Sequence, residues 1–426
     1  MFTRLFLTLS MVMWLGGCAT HYVTPDSSQG LLPYAQEDSV DAHLFFIDGQ
    51  GQLRDSEDNV VEDINSYIDA MMRAYDHYAT HDANLTLMLY IHGGLDERAD
   101  IYKRAQESYR LVLEDGIFPV FIGWESGFAP NIANHFFATS TTQSYPSLSM
   151  WRFLEQSTLG VLGLLWQTPA YYANSLDTST WGKPQNITLS PSSLALYAST
   201  QNTFSYDAPR ALALVNPTKL ITVPFVHHYG KAVWEELYAQ TQRLFLPTSP
   251  LYALMPRLEG KPLMLGGTSM GSLVGNGILE HFDSVTFDTI FYTGAACATY
   301  DIGAITLPYV ARHPETQLYM VSLHEANDAH AQSGAGFIEG GSLLEWVDDM
   351  FATVGAPPRA GLWRHIVPYI DSLTIAPELA ARVHLSRIDV DTDTSTQGPQ
   401  AHETLYHYRY WRSDYWSGVK YERIYR

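Results

Sequence analysis

The chain has only two cysteines in 426 residues, Cys18 and Cys297. That excludes a small scaffold stapled by several bridges, so the fold must rest on packing. Basic side chains are also scarce, with 25 Lys and Arg against 45 Asp and Glu, a formal net charge of −20. Phosphate backbones are bound by basic surfaces, so nucleic acid is excluded as a ligand. An anionic lipid surface gripped by basic contacts is excluded on the same ground. No P-loop, dinucleotide fingerprint or H-E-x-x-H occurs, so nothing in the sequence calls for a cofactor. His227 and His228 lack metal-ligand spacing. Asp389, Asp391 and Asp393 alternate like the start of a calcium loop, but position 394 is Thr where that loop needs Gly. They read as a solvated strand end. Internal repeats and low-complexity tracts are missing too.

What remains is globular material. Hydrophobic residues make up 46% and charged residues 16%, and the length is enough to bury a large core. The first residues, "MFTRLFLTLSMVMWLGGCAT", place one Arg before an apolar run from Leu5 to Leu15. The run is too short to span a bilayer as a helix and ends in Gly16-Gly17-Cys18. This start resembles a bacterial lipoprotein signal, whose box is Leu, two small residues and Cys. The resemblance implies a signal peptide over 1–17, lipidation of Cys18 and a membrane anchor; Ala19 points to the outer membrane. With Cys18 carrying lipid, Cys297 has no intramolecular partner. Residues 18–41, rich in Ser, Pro, Gln and Asp, read as a flexible tether.

From residue 42 short apolar runs alternate with helical spacing. "AHLFFIDGQGQLRDSE" (42–57) reads as a strand, a turn and a short return strand. Val61, Ile64, Ile68, Met71, Tyr75 and Tyr78 recur at helical spacing. "NLTLMLYI" (84–91) is a continuous apolar run, as expected of a strand buried on both faces. A helix pattern over 99–114 and the run "GIFPVFIGW" (116–124) follow. The series predicts a mostly parallel sheet flanked by helices. Between 126 and 259 the alternation stops. That is too much chain for a crossover, and it reads as a largely helical cap insertion, with one good helix over 229–246. The core, begun over 42–125, resumes over 260–426. There the runs 262–267, 287–294, 316–323 and 381–390 are expected strands, with helices after 267 and over 341–354.

Two motifs stand at strand ends. Gly267-Thr268-Ser269-Met270-Gly271 is G-x-S-x-G between an apolar run and a helix pattern. A nucleophile elbow needs that context, because the serine sits on a sharp turn where side chains two residues away would collide. The helix beginning there directs its first N–H groups toward developing negative charge. Earlier, His92-Gly93-Gly94-Leu95 ends the 84–91 run. A loop there can supply a second oxyanion donor, from Gly94 or Leu95, beside the N–H of Met270.

On these motifs and their order the chain resembles the α/β-hydrolase superfamily of serine hydrolases, over about 43–410. Within it the chain is similar to a poorly characterised bacterial set with the "FIGW" strand and a "GSLL-W-D" helix. The resemblance implies the α/β-hydrolase fold and a Ser-His-acid triad on Ser269. The acid is expected after the 316–323 strand, where Asp328 is favoured and Glu325 is the alternative. The base is expected after the last strand, where His402 in a Gly-Pro loop is favoured over His407. The implied activity is hydrolysis of an acyl substrate, by default a carboxylic ester. The apolar insertion and the membrane address favour lipid-like esters. An acyltransferase, a peptidase, or a binding or scaffold lipoprotein without turnover are the rival readings.

Overall fold

The computed structural model describes residues 39–127, 219–324, 327–328, 342–351, 356–388 and 401–412. The signal, Cys18, most of the tether, residues 128–218 of the insertion, Glu325 and the Asp389–Asp393 alternation lie outside the described residues.

Eight strands form one sheet: β1 Leu44–Ile47, β2 Leu53–Arg54, β3 Thr86–Ile91, β4 Ile117–Trp124, β5 Leu263–Thr268, β6 Thr289–Thr293, β7 Gln317–Leu323 and β8 Val383–Ile388. Their order is β2-β1-β4-β3-β5-β6-β7-β8. Among the described residues only the β1–β2 hairpin is antiparallel, and every other neighbouring pair is parallel. The central strands carry apolar side chains on both faces, and Leu87, Met88, Leu89, Ile91, Leu263 and Leu265 are all fully buried. A sheet covered on both sides requires that, and it explains why these strands read as unbroken runs. The coarse expectation of an α/β fold with a mostly parallel sheet is met.

Helices α1 Ile64–Ala79, α2 Arg98–Glu114, α3 Lys219–Arg243, α4 Gly271–His281, α5 Leu307–Arg312 and α6 Trp363–Ser372 flank the sheet. Asp63 caps α1 by accepting the Ser66 N–H at 3.0 Å. Helix α2 turns Ile101, Ala105, Ser108 and Val112 inward, a spacing of three and four residues. The described end of the 126–259 segment is packed into the body of the molecule. Leu237, Leu251, Leu254, Met255 and Leu258 belong to the main hydrophobic cluster and are at most 2% exposed. The last part of this segment supplies apolar side chains that pack against α1 and α4.

Two strand connections set up the site. From β3 the chain passes through α2 to β4 on one side, and from β5 it passes through α4 to β6 on the other. β3 and β5 are neighbours in register from Leu87↔Leu263 to Ile91↔Gly267. Connections leaving in opposite directions open a crevice at the carboxyl ends of the two strands, where ligands bind in open α/β sheets. The two motifs found in the sequence end these same two strands.

Candidate active site

Ser269 follows β5 directly and has φ +51°, in the left-handed region that β-carbon-bearing residues rarely occupy. Such a backbone costs about 1–3 kcal/mol and persists only where its surroundings enforce it. Here the enforcement is a set of short hydrogen bonds. The Ser269 N–H donates to Thr293 O at 2.9 Å, and its carbonyl accepts from Ala296 N–H at 3.0 Å and Ser272 Oγ at 2.7 Å. Ser272 Oγ in turn accepts from the Cys297 N–H at 3.0 Å. The flanking glycines are there for space. A β-carbon on Gly267 would lie 2.9 Å from the Gly271 backbone, and one on Gly271 would run into the carbonyl oxygens of Ile91 and His92. The strand–turn–helix geometry expected of G-x-S-x-G is present, with α4 beginning two residues after the serine.

The His92–Leu95 loop lies against this turn. A β-carbon on Gly93 would be 3.4 Å from that of Ser269. The Leu95 N–H is used, donating to Ser126 O at 3.1 Å. The Gly94 and Met270 N–H groups have no hydrogen-bond partner among the described residues. Of the two loop donors the sequence left open, Gly94 is the one free to face a ligand. His92 Nε2 accepts the Trp124 N–H at 3.2 Å and its ring stacks on the Trp124 indole. The remaining nitrogen, Nδ1, therefore carries the proton, and it lies 3.4 Å from Asp96 Oδ2. His92 holds the loop and does not project from it.

His402 opens a short helical turn, His402–His407. Its imidazole lies against Gly294, the residue after Thr293, whose carbonyl binds the Ser269 N–H. A β-carbon on Gly294 would be 2.9 Å from His402 Nδ1. The ring is 9% exposed and burial pushes its pKa down from 6.5 to about 4. It is therefore neutral at pH 7, the form a general base requires. Among the described residues neither ring nitrogen has a hydrogen-bond partner, and nor does Ser269 Oγ, and all three atoms are buried.

Asp328 lies just beyond the end of β7 and is 2% exposed. Its N–H donates to His324 O at 3.1 Å and its carbonyl accepts the Ser342 N–H at 2.6 Å. The structure thus places Ser269, the two N–H groups and the His402 ring at the carboxyl ends of β3, β5 and β6. It does not bond Asp328 to the ring, since neither nitrogen of His402 has a partner. Among the described residues no group of three His, Cys, Asp or Glu could hold a metal ion, and no helix is long and apolar enough to cross a membrane.

Sequence reading missed the groups that hold this edge together. A turn-containing segment, Pro358–Leu362, runs beside residues 294–298: Ala360 N–H donates to Cys297 O at 2.8 Å and Gly361 N–H to Ala295 O at 2.7 Å. Arg359 in that segment donates to Ala296 O at 3.2 Å while Asp348 accepts from its backbone N–H at 3.0 Å. Only the third dimension puts Arg359 near Ser269, because 90 residues separate them. Comparison with protein-family models, with curated proteins and with solved structures gives no match. The fold and this geometry carry the functional reading alone.

Proposed function

We propose that the protein is a serine hydrolase of the α/β-hydrolase kind, acting on an acyl substrate, by default a carboxylic ester. The observation that carries the reading is Ser269, held at positive φ in a strand–turn–helix elbow, with two unpartnered N–H groups on one side and a neutral buried imidazole on the other. Ser269 Oγ attacks the acyl carbon as His402 takes its proton. The carbonyl oxygen becomes negative and is held by the N–H groups of Met270 and Gly94. His402 then returns the proton to the leaving alcohol, and the C–O bond to that alcohol breaks. Water, deprotonated by His402, resolves the acyl-enzyme and regenerates Ser269. Asp328 is the acid assigned to orient His402, which requires it to move onto the ring when substrate binds. A lipid anchor on Cys18 would hold the enzyme in the bacterial envelope and favours lipid-like esters.

A second reading, a binding or scaffold lipoprotein on the same fold, draws on one observation: the Ser269–His402 and His402–Asp328 hydrogen bonds are both unmade. Turnover separates the two. With a short-chain nitrophenyl ester, Ser269→Ala and His402→Ala should each lower kcat by roughly 10⁴ to 10⁶. Wild-type turnover no faster than that of Ser269→Ala supports the scaffold.

A further inference from the structure

We infer that Arg104 is a positioning residue that locks the oxyanion loop and the base-bearing turn to one another; the inference rests on the reading of Ser269 and His402 given above. Arg104 projects from the second turn of α2, the helix that begins directly after the 92–96 loop. Its guanidinium makes a two-pronged contact with the Asp96 carboxylate, Nη1–Oδ2 and Nη2–Oδ1 both at 3.0 Å. Burial alone would push the Asp96 carboxyl up, but the charge of Arg104, aided by His92, outweighs it and holds that carboxyl well below the usual range. Asp96 also faces His92 Nδ1, and His92 carries the loop against Trp124. On its other face the same guanidinium lies over the Tyr406 ring, 4.1 Å from the centroid. Tyr406 is four residues after His402 in the same helical turn. One side chain, 5% exposed, thus touches both halves of the proposed machinery.

The fork suits this task because it is flat, always charged and pre-shaped for a carboxylate while its face stays free for a ring. A second fastening makes α2 a rail. Asp115, at its C-terminal end, accepts from Arg409 Nη1 at 3.0 Å and from Trp411 Nε1 at 2.9 Å. The segment carrying His402 is therefore fixed to α2 at both ends. Fixed only at Asp115, the turn could pivot and carry the imidazole away from Gly294.

The test compares Arg104→Met, Arg104→Lys, Tyr406→Phe and Tyr406→Leu in the full chain, using a short-chain nitrophenyl ester and thermal melting. A misplaced group costs up to about 10²-fold in rate, so Arg104→Met is expected to lower kcat by ~10- to 100-fold with KM within about threefold. Lys keeps the charge but loses the fork and the flat face, so it should rescue little. Phe keeps the ring and should stay within about twofold of wild type, whereas Leu should fall by roughly tenfold. The double variant Arg104→Met with Tyr406→Leu should be no slower than Arg104→Met alone, since both break one link. Wild-type kcat in a folded Arg104→Met or Tyr406→Leu protein overturns the inference, and so does full rescue by Lys. If Arg104→Met does not fold, the Phe and Leu pair decides. Failure of the hydrolase reading shows up separately, as wild-type turnover equal to that of Ser269→Ala.

Discussion

At the scale of single residues, Ser269 shows most directly what the sequence could and could not disclose. The G-x-S-x-G pattern named the turn, and the elbow's strain is what the pattern exists to accommodate. With φ at +51°, glycine is the residue the backbone itself would prefer there. Ser269→Gly is therefore expected to be more stable than Ser269→Ala, by about 1 kcal/mol after allowing for the greater freedom of glycine in the unfolded chain. Melting of the two variants checks this, and equal or reversed midpoints contradict it. Gly271→Val should act the other way, forcing the elbow off the end of β3 and costing at least about 3 kcal/mol or preventing folding. His402 supplies a pH signature. Its folded pKa lies below the unfolded 6.5, so the unfolded chain binds more protons between pH 6.5 and about 4. Stability is lost as pH falls through that window, by roughly 3 kcal/mol, and is level above it. His402→Gln should flatten the melting profile between pH 6.5 and 4, and a profile parallel to wild type would show the ring to be solvated. In kinetics a midpoint near 4 matches the unpartnered ring. A midpoint near 7 means that a carboxylate closes on it in the working enzyme, and Asp328→Asn should then lower that midpoint.

At the scale of elements, the strands were legible because each is buried on both faces and so shows as an apolar run. Helices were legible where their period was clean. Two that were not have physical reasons. The helical stretch from Thr299 to Arg312 contains a wide turn over Ile302–Thr306 and Pro308, which together break the 3.6-residue period. Helix α6 has Pro368 inside it. In α3 the described helix runs from Lys219, ten residues before the start at 229 expected from the sequence. What no period can disclose is how distant segments fasten together. Helix α2 and the segment 402–411 are some 300 residues apart, and Asp115 joins them. Asp115→Ala removes an acceptor from Arg409 and from Trp411 and should lower stability by about 1–3 kcal/mol. A thermal midpoint unchanged from wild type would show that fastening to be idle.

At the scale of the whole molecule, the order of strands turns two local motifs into one site. β3 and β5 are 172 residues apart by their closest ends, from Ile91 to Leu263, but are neighbours in the sheet. Their connections leave in opposite directions, so the His92–Leu95 loop and the elbow share a crevice. Sequence order alone suggested this meeting, and the register makes it specific. The proposed acid, Asp328, was the least legible residue, because a carboxylate beyond a strand end looks the same whether it caps, solvates or orients. The central claim is that this crevice makes Ser269 a nucleophile, and the most direct measurement is reaction with a fluorophosphonate probe followed by mass analysis of the labelled peptide. One phosphonyl group per chain is expected, on Ser269, with labelling abolished in Ser269→Ala and strongly slowed in His402→Ala. No label on the folded wild-type protein, or undiminished labelling of Ser269→Ala, would contradict it.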